Sequence, residues 1–91
     1  MTIRVEFYGL ARQRAGVSQI ELPLLVSKVQ FRDVLLQLAE RLPDFARQMI
    51  VEGRLHSVLS ANLDGQQFVS EPTTPIADGQ SLLILSADAG G

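Results

Sequence analysis

The sequence predicts an α+β fold, a mixed sheet of four to five strands packed on one main helix with a short second helix beside it. Three observations lead to this class. Residues 2–8 alternate, with Ile3, Val5 and Phe7 on one face and Thr2, Arg4 and Glu6 on the other. From Phe31 the apolar period lengthens to three and four residues, and in the last third of the chain it returns to strand-like runs broken by Asp-Gly turns.

The elements follow in order. Residues 2–8 form a strand, because alternation of this kind buries one side of a pleated ribbon and wets the other. Residues 9–16, with Arg12, Gln13 and Arg14 between two glycines, read as a surface loop or a single helical turn. Residues 18–24 return to a period of two, and Pro23 assigns them to a sheet edge, since proline cannot donate to a central ladder. Phe31, Val34, Leu35, Leu38 and Leu42 then mark one face of an amphipathic helix, with Asp33 in the first turn and Pro43 ending it. Asp44 is placed as the cap of a shorter helix in which Phe45 and Met49 share a face, closed by Gly53.

Residues 57–63 predict a third strand and 66–69 its return, joined at Asp64-Gly65, where both residues tolerate the positive φ of a hairpin turn. Residues 70–80 hold two prolines and a second Asp-Gly, and read as a loop anchored by Ile76. The run Ser81–Leu85 is the last strand, rich in branched apolar residues. A hairpin, a helix crossing the sheet and a last strand laid beside the first make the β-grasp arrangement. The expected division is a domain over residues 1–85 and a flexible Gly-Gly tail over 86–91.

Composition narrows the function. A chain of 91 residues supports one core, and its 46% hydrophobic and 20% charged residues suit an ordinary globule. Without cysteine there is no disulfide framework, thiolate metal site or thiol nucleophile, which fits a reducing cytoplasm. Apolar runs of about four or five residues fall far short of the ~20 that cross a bilayer, and no signal-peptide pattern opens the chain, so no membrane association is expected. A net charge of −2 with singly scattered arginines leaves no basic stripe for nucleic acid. His56 is the lone histidine and has no ligand partners at metal spacing, and the serines lack a nucleophile elbow. A metal site and a hydrolase triad are therefore not expected.

Three segments carry a resemblance to a known family: Val5-Glu-Phe-Tyr-Gly-Leu-Ala-Arg-Gln-Arg-Ala-Gly16, Asn62-Leu-Asp-Gly65, and Ile76-Ala-Asp-Gly-Gln-Ser-Leu-Leu-Ile-Leu85 followed by Gly90-Gly91. In these the chain resembles the MoaD/ThiS family, the ubiquitin-like small subunit of molybdopterin synthase and the related thiamine-pathway sulfur carriers. Ser86-Ala87 stands where many molybdopterin-type members have a Pro-Pro pair.

The resemblance implies a protein cosubstrate that catalyses nothing itself and binds no cofactor. An adenylyltransferase similar to ubiquitin-activating enzymes would spend ATP on the Gly91 carboxylate, and sulfur would then replace AMP to give a thiocarboxylate. A sulfur-accepting enzyme or larger synthase subunit would take the sulfur. Asp88, Ala89 and Gly90 complete the tail; six extended residues at about 3.3–3.6 Å each reach roughly 20 Å into a partner. Glycines suit a narrow channel because they carry no Cβ and accept unusual φ and ψ. The competing reading of a small polar terminus is a frayed end without function.

Docking needs an apolar patch. Leu82 and Ile84 alternate with Leu83 and Leu85, so one pair faces the helix and the other faces out. The expected patch is Leu83 and Leu85 with Leu59 and Ala61 of the third strand. The alternative is a sheet covered on both faces, for instance by residues 45–56. Two further classes remain beside the sulfur carrier: a ubiquitin-like interaction module whose tail is never activated, and a modifier joined through Gly91 to lysines.

Overall fold

The computed structural model describes residues 1–87. Twelve elements follow one another: β1 (Thr2–Phe7), α1 (Gly9–Ala15), β2 (Gln19–Pro23), β3 (Lys28–Gln30), α2 (Phe31–Arg41), α3 (Pro43–Met49), β4 (Ile50–Val51), β5 (Arg54–Leu55), β6 (Leu59–Leu63), β7 (Gln67–Val69), β8 (Pro75–Ala77) and β9 (Ser81–Ser86). Five strands form one mixed sheet in the order β2-β1-β9-β6-β7. β1 and β2 make the opening antiparallel hairpin, and β9 inserts between β1, to which it is parallel, and β6, to which it is antiparallel. The last strand is thus the centre of the sheet, and Pro23 lies on its edge strand as expected.

One face of the sheet carries the core. Ile3, Val5, Phe7, Leu22, Ala61, Leu63, Leu82 and Ile84 are buried with Phe31, Val34, Leu35 and Leu38 of α2 in a single cluster. Each of these side chains larger than alanine contributes about 1.5–3 kcal/mol when withdrawn from water. α2 begins where Gln30 and Asp33 close a capping box, with the Gln30 N–H donating to Asp33 Oδ2 at 2.9 Å. Phe45 of α3 joins the same core, its ring meeting Phe7 edge-on with centroids 5.4 Å apart. Residues 43–49 therefore pack on the helical side of the sheet, and Phe45 does not cover the outer face.

Several expectations are corrected. Leu59 and Ala61 are 6% and 2% exposed and belong to the core, not to an outward patch. The register explains it: Ala61 stands opposite the inward Ile84 and Leu63 opposite the inward Leu82, whereas Ser60 and Asn62 stand opposite Leu85 and Leu83. Side chains directly opposed in a sheet share a face, so Leu59 and Ala61 cannot join Leu83 and Leu85.

The 9–16 segment is a helix of seven residues, ended by Gly16 at φ +76°. Leu42, not Asp44, occupies the cap of α3; Pro43 takes the first helical position, where its missing N–H costs nothing, and Asp44 pairs with Arg47 in the next turn. Residues 70–80 hold a strand as well as turns, β8 pairing with β3 and bringing Ile76 opposite Val29. Gly53 does not simply end a helix; it turns the small β4–β5 hairpin, in which Ile50 faces Leu55. Finally, the body continues past residue 85: Ser86 pairs with Leu59 in the sheet, and the Ala87 N–H donates to the Val58 carbonyl at 2.8 Å. Asp88, Ala89, Gly90 and Gly91 lie outside the described residues.

Candidate functional site

The sheet face turned away from the helices is the candidate site. Pairing builds it in rows. Leu83 has Glu6 of β1 on one side and Asn62 of β6 on the other, and Asn62 in turn faces Phe68 of β7. Leu85 has Ser60 beside it, and at the other end Arg4 lies between Glu21 and Ser81. Leu83 and Leu85 are half-buried, and Phe68 is 70% exposed. Leu83 and Leu85 follow one another on the outer face of β9 and Phe68 stands beyond Asn62 in the row of Leu83, so apolar side chains are spread over an otherwise hydrophilic sheet face, which marks it as a contact surface.

Phe68 was not anticipated. A two-residue turn at Asp64-Gly65 would set Leu63 opposite Gln66 and point Phe68 inward beside Ala61. The turn does use Asp64 and Gly65 at φ +56° and +72°, with the Gln66 N–H returning to the Leu63 carbonyl at 3.0 Å. Leu63 nevertheless pairs with Gln67, so one extra residue is accommodated and Phe68 turns outward while Val69 turns in. Asp64 holds this corner against β9, accepting the Ser81 N–H at 2.8 Å and the Gln80 side-chain amide at 2.9 Å.

Polar groups in the middle of the face are arranged unevenly. Arg4 and Glu21 pair with each other at 3.9 Å. Glu6 has no cationic partner among the described residues; its carboxylate accepts the Tyr8 hydroxyl instead. Asn62 Oδ1 is buried without a hydrogen-bond partner. The Glu6 contact raises the Tyr8 pKa above its ordinary 10.0, first because the hydrogen bond requires the proton and further because a phenolate would sit beside a carboxylate. A raised folded-state pKa means that any stabilisation from this contact is present below the unfolded value and lost as the pH climbs through the folded one. Tyr8 is the sole tyrosine and the chain has no tryptophan, so phenolate absorbance reports this residue alone. Glu6→Gln is expected to bring its titration midpoint back toward 10.0; an unchanged midpoint in an absorbance titration would remove the Glu6 contact as the cause.

The chain leaves the sheet beside the start of α1. Ser86 Oγ accepts the Leu10 N–H at 3.0 Å, and the Tyr8 N–H reaches the Ile84 carbonyl at 2.9 Å. Gly9 makes the approach possible: it has φ +55°, and a Cβ there would lie 2.6 Å from Ser86 Oγ. Leu10, Ser57, Val58, Ser86 and Ala87 line a shallow recess at this exit. The last described residues, Ser86 and Ala87, are thereby held to both neighbours, Ser86 to Leu10 and Ala87 to Val58. Among the described residues no three His, Cys, Asp or Glu side chains gather to hold a metal, and no helix is long and apolar enough to cross a membrane.

No family model matches the sequence, and no curated protein matches it. Solved structures do match in three dimensions. SAMP1 from Haloferax volcanii superposes with a TM-score of 0.78 at 16% identity, covering 100% of both chains. The chain has the ubiquitin-like β-grasp fold. A putative molybdopterin converting factor subunit 1 from Pyrococcus furiosus matches this β-grasp domain with a TM-score of 0.73 at 21% identity, over 93% of this chain and 95% of that one. A chain of the Amycolatopsis orientalis BexX/CysO complex matches with a TM-score of 0.73 at 19% identity, over 98% and 99%. At 16%, 21% and 19% identity these matches are a likeness of fold.

Proposed function

We propose that this β-grasp domain is a sulfur carrier whose working group is the carboxylate of Gly91, borne on the tail Asp88-Ala89-Gly90. The observation that carries the reading is the course of β9. It is the central strand, it presents Leu83 and Leu85 on the face that also carries Phe68, and it is pinned at Ser86 and Ala87, separated by two residues from Gly90-Gly91. A partner docked on that face lies alongside the exit, so body and tail can be engaged by one protein.

The chemistry belongs to the partners. An adenylyltransferase lets a Gly91 carboxylate oxygen attack the α-phosphorus of ATP, forming an acyl-adenylate and releasing pyrophosphate. A sulfide donor then attacks the carbonyl carbon, the C–O bond to AMP breaks with its electron pair leaving on AMP, and a thiocarboxylate remains. The carrier holds no cofactor, and this cycle suits a cytoplasmic protein. A sulfur-accepting enzyme or a larger synthase subunit receives the sulfur; the solved structure of CysO in complex with BexX is a protein pair of related fold on one side. Leu83 and Leu85 are proposed as the docking residues, joined by Phe68.

Intact-mass spectrometry tests the proposal. Incubation with ATP, the adenylyltransferase and a sulfide donor is expected to raise the mass by the difference between sulfur and oxygen. No shift, under conditions where the same enzyme thiolates a control carrier, overturns it. A second reading, conjugation of Gly91 to lysines, is favoured by the likeness to SAMP1, small archaeal modifier protein 1. It predicts Gly91 joined to lysines of other proteins in cell extracts.

A further inference from the structure

We propose that His56 is a positioning residue for the C-terminal tail: its imidazole shapes the turn from which the Val58 carbonyl holds the Ala87 N–H at the exit. The inference rests on the sulfur-carrier reading and goes beyond it, giving a part in the reaction to the one histidine of the chain, which neither the docking face nor the tail uses.

The turn runs from His56 to Leu59. The Leu59 N–H donates to the His56 carbonyl at 2.9 Å, which closes a β-turn with Ser57 and Val58 at its centre. Inside that turn the Val58 N–H donates to His56 Nδ1 at 3.1 Å. The side chain of the first residue thus accepts from the backbone two residues on, the contact that Asn and Asp make when they open a turn. With Nδ1 accepting, the neutral ring carries its proton on Nε2. A third bond, from the His56 N–H to the Met49 carbonyl at 2.7 Å, ties the turn to the end of α3.

These bonds set the direction of one carbonyl. A peptide unit is planar, with its C=O and N–H on opposite edges. The unit that presents the Val58 carbonyl also carries the Leu59 N–H, and the unit before it carries the Val58 N–H. Both N–H groups end on His56, one at its carbonyl and one at its ring, so both backbone torsions of Val58 are fixed. The Val58 carbonyl is left facing Ala87, whose N–H it accepts at 2.8 Å. Ser86 is held separately, by the Leu10 N–H.

Loss of the ring contact releases one side of Val58 and with it the aim of the carbonyl. One more residue then has to be ordered each time a partner engages the tail, at a cost that corresponds to about fivefold or more in affinity. That cost falls on binding and not on the chemical step, because the seated terminus is the same in either case.

The experiment compares His56→Leu, which removes the acceptor, with His56→Asn, which supplies an oxygen acceptor in the same turn. Amide hydrogen exchange is read by NMR at Ala87 and Leu10, and pyrophosphate release with ATP and the adenylyltransferase gives KM and kcat for the carrier. In His56→Leu, exchange at Ala87 is expected to quicken and KM to rise, each by about fivefold or more, with kcat and Leu10 unchanged. In His56→Asn both are expected to stay at the parent values. Parental exchange at Ala87 or a parental KM in His56→Leu overturns the proposal, as does His56→Asn behaving like His56→Leu. A fall in kcat and in the thermal melt in both variants makes the role of His56 structural only and overturns it too. If the parent itself releases no pyrophosphate, the sulfur-carrier reading has failed, while exchange at Ala87 still decides whether His56 holds the exit.

Discussion

Addition of one alanine after Gly91 is expected to cut adenylate formation by about a hundredfold or more while leaving the thermal melt unchanged. The extension turns the Gly91 carboxylate into an amide and moves the only terminal carboxylate about 3.3–3.6 Å further along the chain. A reacting group held by a threaded chain has no freedom to make up that distance, and an error of about 1 Å already costs on the order of a hundredfold in positioned reactions. Body and docking face are untouched, because residue 87 is already bonded to Val58 and the addition lies beyond residue 91. Pyrophosphate release in the presence of the adenylyltransferase reads the result. Release at the parent rate would mean that the terminal carboxylate is not the reacting group, whatever the fold.

The second large effect is on stability. Phe45→Ala is expected to cost about 3–5 kcal/mol, the range for truncating a buried aromatic ring. Phe45 is 1% exposed and lies edge-on against the buried Phe7 at the end of β1. Domains of this size hold roughly 0.05–0.15 kcal/mol per residue in all, so the loss is a large share of the total. The melting temperature is expected to fall by more than about 12 °C, at about 4–8 °C per kcal/mol. A smaller drop in calorimetry would show that α3 is a dispensable addition to the sheet and α2, not a part of the core.

Much of the fold was legible. The periods of β1, α2 and β9 match the faces that are buried, since a strand hidden on one side needs alternation and a helix needs a stripe. Pro23 on the edge strand and the left-handed Asp64-Gly65 corner follow equally from local chemistry. The short pairings β3–β8 and β4–β5 were not legible, because two or three residues are too few to show a period and their partners are distant or set by a turn.

The candidate site divides in the same way. Alternation alone separated Leu83 and Leu85 from Leu82 and Ile84, and Gly90-Gly91 could be singled out without any coordinates. Which residues stand beside Leu83 was a matter of strand register, and register between segments twenty or seventy residues apart is written in no local pattern. The antiparallel pairing to β6 sent Leu59 and Ala61 into the core, and the extra residue after Gly65 turned Phe68 outward. In a sheet a shift of one residue exchanges the two faces completely. Local sequence therefore determined the elements and the face each strand offers within itself, whereas only the assembled sheet decided which faces coincide, and with them the row of Glu6, Leu83, Asn62 and Phe68.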